Sequence, residues 1–189
     1  MPLKSESTVE STSAIRQRQH SSRPFSIGRV AVLGAGTMGA RIAAHFANAG
    51  LPVLLLDMPA AAGERNRLGS QALLNLKSSK PAAFVSPSAT TLVTIGNFED
   101  DLDKLKQCDW VIEAVSENLE IKRALLGKVV GHLHPKAILT TNTSGLPVAQ
   151  IAAQLPADVR RRWFGTHFFN PPRYMRLLEV IATAEVDQD

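Results

Sequence analysis

From Ile27 onward, short apolar runs alternate with longer stretches in which apolar residues recur every three or four positions. The short runs predict strands at Arg29–Leu33, Pro52–Leu56, Leu92–Ile95, Trp110–Ala114, Ala137–Thr141, Trp163–Phe168 and Leu177–Ile181. Between them, Met38, Ile42 and Phe46, and later Ile121, Leu125, Val129 and Leu133, fall at helical spacing and predict helices laid against a sheet. Strands alternating with helices imply an α/β domain with a mostly parallel sheet, because a right-handed crossover must carry the chain back to the next parallel strand. In such a doubly wound sheet the helices cover both faces, and ligands are left to the carboxyl ends of the strands.

The pattern fails before Ile27. Residues 1–25 hold few apolar side chains and are serine-rich, so they cannot offset the entropy of ordering and read as a disordered tail. Arg16, Arg18 and Arg23 leave a transit peptide as the alternative, against which Glu6 and Glu10 weigh. Residues 26–189 then form one domain, since a chain of 189 residues buries one sizeable core. No apolar run approaches the roughly 18 residues of a membrane helix, and no secretion signal is present, so a cytoplasmic protein is expected. Cys108, the single cysteine, sits in a helical-looking stretch that reads as surface, and it has no metal-binding neighbours. His132 and His134 at a helix end read as exposed, and no metal site is expected. The net charge of +4 could suggest nucleic acid, but aromatic residues are few, the basic residues are dispersed among acids, and a small polyanion explains the balance equally well.

Chemistry first becomes specific after the first strand, where Val30–Leu33 runs into Gly34-Ala35-Gly36-Thr37-Met38-Gly39. Gly34 permits a tight turn, Gly36 lets a pyrophosphate approach the backbone, and Gly39 lets the helix pack closely on the strand. The free N–H groups and dipole of the helix that follows favour the phosphates. Asp57 ends the second strand, twenty-one residues beyond Gly36, where a carboxylate accepts from the ribose hydroxyls of NAD and repels the 2′-phosphate of NADP. The fold expected is therefore a Rossmann-type doubly wound sheet, and the cofactor NAD. FAD shares the fingerprint but usually goes with a longer chain and further flavin contacts.

Three later segments place polar residues where strands end: DWVIEAVSENLEIK, TTNTSG and GTHFFNPPRYMRLLEVI. His167 is the candidate general base, since oxidation of a secondary alcohol needs a side chain of a type that titrates near neutral pH. If Pro171-Pro172 turns the chain back, Glu179 comes beside it as the carboxylate that orients the ring. Ser144 can donate to a substrate or nicotinamide oxygen, or alternatively cap the helix near Pro147. Asn142-Thr143-Ser144 also matches a glycosylation sequon, set aside because no secretion signal precedes it.

With these segments in this order after such a glycine loop, residues 28 to about 185 resemble the L-3-hydroxyacyl-CoA dehydrogenases of fatty-acid β-oxidation. SKPAAF and GNFEDDL are most similar to the bacterial branch fused to an enoyl-CoA hydratase. The resemblance implies NAD-dependent oxidation of L-3-hydroxyacyl-CoA to 3-oxoacyl-CoA, with His167 and Glu179 as the catalytic pair and Ser144 assisting. It implies cofactor contacts from Gly34, Gly36, Thr37, Met38, Gly39, Asp57, Glu117, Lys122, Ser144 and Asn170. Ser70 and Lys77, about two helical turns apart, match positions that hold the CoA moiety. In that family a helical C-terminal domain follows; here the sequence stops at Asp189, so a domain or fragment working with a helical partner, and a hydratase beside it, is expected. Two alternatives stay open: a non-catalytic NAD-binding module that needs a partner, and a dehydrogenase of a related 3-hydroxy acid.

Overall fold

The computed structural model describes residues 26–187; the expected tail at 1–25 lies outside them. Seven strands form one sheet: β1 Val30–Leu33, β2 Val53–Asp57, β3 Val93–Asn97, β4 Trp110–Glu113, β5 Ile138–Thr141, β6 Trp163–Phe168 and β7 Leu178–Ala182. Their order is β3-β2-β1-β4-β5-β6-β7. The first six are parallel, and β7 is antiparallel to β6, with His167 paired to Glu179. This is the Rossmann order, with the topological switch point between β1 and β4. The strands lie within two residues of the positions expected from the apolar runs; β1 and β2, covered on both faces, show why, since such strands are apolar along nearly their whole length.

Alternation along β1 and β2 divides the interior. Ala31, Leu33, Leu54 and Leu56 join Leu126, Leu139 and Trp163 on one side of the sheet, whereas Val30, Val32, Val53 and Leu55 meet Ile42 and Ile112 on the other. Helix α1, Thr37–Asn48, presses Ile42, Ala43 and Ala47 into the second of these cores. Helix α2, Arg67–Lys77, packs Gly69 so tightly against β3 that a Cβ there would lie 2.4 Å from Ile95 Cγ2.

Helix α3, Leu119–Val129, starts at Asn118, whose Oδ1 accepts from the Ile121 N–H at 3.0 Å. Its buried face is Lys122, Leu125, Leu126 and Val129, so the expected stripe holds at Leu125 and Val129 but not at Ile121. Ile121 instead lines a cavity, and Leu133 lies beyond the helix, which tightens into a 3-10 turn at Val130–His132. Cys108 corrects the surface reading: it follows a 3-10 turn at Leu102–Gln107 and is fully buried beside Leu105 and Val111. Its burial pushes the thiol up to about 11.

Two short helices, α4 Val148–Ile151 and α5 Ala157–Arg160, lead into β6. The stretch after α2 is held from outside itself. Asn48 donates to the Ala83 carbonyl and accepts from the Val85 N–H. Arg173 Nη1 donates to the carbonyls of Ala82 and Phe84 at 2.7 and 2.8 Å, and the Tyr174 hydroxyl donates to Ala82.

Candidate active site

The turn from β1 to α1 is fixed by backbone crowding at two of its glycines. Gly34 has φ +105°, and a Cβ there would lie 2.7 Å from the Ala114 carbonyl oxygen. At Gly39 a Cβ would meet the Gly34 carbonyl oxygen at 1.9 Å, so only glycine lets α1 come this close. Gly36 differs: nothing lies within 4 Å of a Cβ built there, and Gly36 and Thr37 are exposed. The space over Gly36 is the approach a pyrophosphate requires.

Asp57 closes β2 beside this turn. Its Oδ2 accepts from the Ala35 N–H and its Oδ1 from the Met58 N–H, which tie the carboxylate to the glycine loop. A cavity of about 530 Å³ opens at the switch point, lined among others by Gly36, Asp57, Phe98, Val115 and Ile121. An apolar slot with a carboxylate at its mouth and a glycine turn behind it suits the adenosine half of a dinucleotide, so these residues fit NAD.

At the far end of the sheet, His167 and Glu179 face each other across β6 and β7, with Nδ1 and Oε2 2.8 Å apart. The carboxylate accepts, so Nδ1 carries the proton and Nε2 is left free to accept one. The ring packs against Phe169, with centroids 4.6 Å apart. Antiparallel pairing, not the Pro-Pro turn alone, creates this contact, because directly opposed residues on one face bring their Cβ atoms together.

Ser144 lies between these two ends, in the turn after β5. Glu117 Oε1 gathers that turn: it accepts from the Thr143 hydroxyl and from the N–H groups of Ser144 and Gly145, both at 3.0 Å. Partial burial of Glu117 opposes ionisation, but these hydrogen bonds and the Lys122 ammonium outweigh it and hold the carboxyl down at about 2. Lys122 is buried; its Nζ donates to Glu113 at 2.7 Å and to the Val115 carbonyl at 3.3 Å, and forms an ion pair with Glu117 at 3.2 Å. Its ammonium therefore stands behind the turn, between the carboxylates of Glu113 and Glu117. Asn170 is exposed just after β6.

The structure does not bring Ser70 and Lys77 to this region. The Ser70 hydroxyl donates to Glu64 on the exposed side of α2, and Lys77 lines a separate cavity of about 350 Å³ with Phe84, Ser86 and Thr90.

Reading the sequence missed Glu113, Thr141 and Asn142. The Asn142 side-chain oxygen accepts from the Phe168 N–H at 2.9 Å and so joins the ends of β5 and β6. The available signal was Glu113, a lone acid closing an apolar strand, with Lys122 nine residues later.

The glycine turn and the acid at the end of β2 together define a dinucleotide-binding domain of the Rossmann class, with a His–Glu pair across β6 and β7 at its edge. The family profile "3-hydroxyacyl-CoA dehydrogenase, NAD binding domain" matches residues 29–189, and the chain belongs to this family. A probable 3-hydroxyacyl-CoA dehydrogenase of Deinococcus radiodurans is 46% identical over 164 residues, covering 86% of this chain and 47% of that protein. One from Bacillus subtilis is 43% identical over 178 residues, covering 86% of this chain and 23% of that protein. Among solved structures, the 3-hydroxybutyryl-CoA dehydrogenase of Escherichia coli superposes with a TM-score of 0.71 at 32% identity, over 87% of this chain and 34% of that one. The chain thus spans half or less of the length of these relatives, and its cofactor is the NAD of the family. Among the described residues no helix is long and apolar enough to cross a membrane.

Proposed function

We propose that this chain is the cofactor-binding half of an enzyme that interconverts L-3-hydroxyacyl-CoA and 3-oxoacyl-CoA. The observation that carries the reading is the His167–Glu179 contact at 2.8 Å, set at the carboxyl edge of a sheet whose other loops fit NAD. His167 Nε2 takes the hydroxyl proton, and Glu179 keeps the ring oriented and offsets the charge it gains. NAD, when bound, supplies the hydride acceptor. The glycine turn at Gly34–Gly39 and Asp57 hold its adenosine side, while Glu117, Lys122, Ser144 and Asn170 serve the nicotinamide side. Ser70 and Lys77 are proposed for the CoA moiety, with support only from their resemblance and shared helix.

The acyl-CoA cleft needs a second wall. Leu177, Leu178, Val180 and Ile181 are exposed along the β7 edge, which is where we place a helical partner domain. The Deinococcus relative is long enough for that domain, and the longer Bacillus relative leaves room for a hydratase as well. A cytoplasmic location belongs to the same proposal and is checked by fractionation.

The test measures NADH binding by fluorescence and reduction of a 3-oxoacyl-CoA at saturating NADH, with and without the helical domain of a relative added in trans. Binding by the chain, with turnover that rises when the helical domain is present and is lost in Glu179→Gln, supports the reading. Binding with no turnover under either condition would reduce the chain to a nucleotide-binding module.

A further inference from the structure

Glu113 is completely buried at the end of β4, and nothing in the reaction above uses it. Both of its oxygens are occupied. Oε1 accepts from Lys122 Nζ at 2.7 Å and from the Val115 N–H at 2.8 Å, and Oε2 accepts from the Thr141 hydroxyl at 2.6 Å. From this one carboxylate two limbs reach the same turn. Along one, the Thr141 hydroxyl oxygen accepts from the Thr143 N–H at 3.2 Å. Along the other, Lys122 bridges to Glu117, whose carboxylate holds the Thr143 hydroxyl and the Ser144 and Gly145 amides. The Thr143 hydroxyl closes the network by accepting from the Leu146 N–H at 3.1 Å.

Burying a carboxylate and an ammonium is costly unless they are paired and hydrogen-bonded, and here both Glu113 oxygens accept hydrogen bonds while Lys122 lies between two carboxylates. The geometry points to Glu113 as a positioning residue for the nicotinamide end of the site: through Lys122 and Thr141 it sets where the Thr143–Gly145 turn, and so Ser144, stands relative to His167. This inference rests on the proposed cofactor role of that turn. It adds a residue that touches neither cofactor nor substrate. A network pinned at both ends by one buried group fixes the turn more tightly than Glu117 alone, since Glu117 is partly exposed and free to exchange partners with water.

The experiment uses the chain as it stands, with Glu113→Gln and Thr141→Val. Lys122 is kept in both, and Thr141→Val, which cuts only the Thr141 limb, keeps the test open should Glu113→Gln fail to fold. Amide hydrogen exchange is followed by NMR at Thr143, Ser144 and Gly145 and, as the reference for global opening, in β1 and β2. The expected result is selective acceleration at the turn in each variant that folds, with NADH binding weakened at least tenfold by Glu113→Gln and a few-fold by Thr141→Val. Exchange that is unchanged at the turn, or that rises equally in β1 and β2, would overturn the positioning role. Wild-type affinity for NADH in the variants would overturn it as well. Failure of the wild-type chain to bind NADH would instead strike the cofactor reading, and the exchange comparison would still decide whether Glu113 positions the turn.

Discussion

The β1–α1 turn and the β6–β7 edge belong to one sheet but are supported differently. β1 is buried along its whole length, helices and loops cover both of its faces, and Gly34 and Gly39 are pressed into backbone atoms. β7 is exposed at all five positions, and its pairing with β6 is what brings Glu179 to His167. Phosphate recognition depends on backbone N–H groups in a fixed turn, so rigidity there comes with the fold. The dyad depends on an edge strand, an element with few buried contacts that opens locally at lower free energy than the core. Cofactor binding and proton transfer should therefore be separable by mutation.

The largest expected effect tests that separation directly. In an assay containing the helical domain, His167→Gln lowers the chemical rate by about 10²–10⁴ while NADH affinity in fluorescence titration stays at the wild-type value. A parallel loss of NADH affinity would show that the two regions are not independent.

At the other end, Asp57→Ala removes a charge-assisted acceptor worth about 1.5–3 kcal/mol. Calorimetry should show weaker NADH binding and reduced discrimination against NADPH. The glycines sharpen the contrast within the turn. Gly39→Ala, meeting the Gly34 carbonyl oxygen at 1.9 Å, should cost about 1–3 kcal/mol of stability and lower Tm. Gly36→Ala, facing open space, should leave Tm unchanged and weaken only NADH.

A smaller effect comes from pH. Glu117 is held at about 2, below its ordinary value near 4.5, so its contribution to stability is present above that ordinary value. It is lost as pH falls through the window from about 4.5 to 2. Melting curves across this range should be flatter in Glu117→Gln, and the difference should be modest because the carboxylate is partly exposed. Smallest of all, Cys108, with its thiol pushed up to about 11 and no exposed surface, should resist alkylation in the native protein and react only on unfolding.

The strands and glycine turn were legible because their signals are local: an apolar run, a turn, an acid at the next strand end. Non-local facts were not. The antiparallel sense of β7 cannot be read from LLEVI, since pairing direction depends on how the chain returns after Pro172. Ile121 belongs by spacing to an apolar stripe, yet it faces a cavity that exists only once β1, β2 and α3 have assembled. Cys108 sits among charged neighbours whose side chains turn outward while its own turns in. Glu113 looks like the polar end of a strand, and its significance appears only with Lys122 and Thr141 around it.

The lacing of residues 82–85 carries a consequence for how the sequence can change over evolutionary time. That stretch takes several of its hydrogen bonds from the side chains of Asn48, Arg173 and Tyr174, drawn from opposite ends of the chain. An insertion or deletion between α2 and β3 is therefore not neutral for the turn after Asn170, which Arg173 anchors. Homologues that alter the length of this stretch should alter positions 48 and 173 in concert, and chimaeras that exchange it without them should lose order in the turn that carries Asn170.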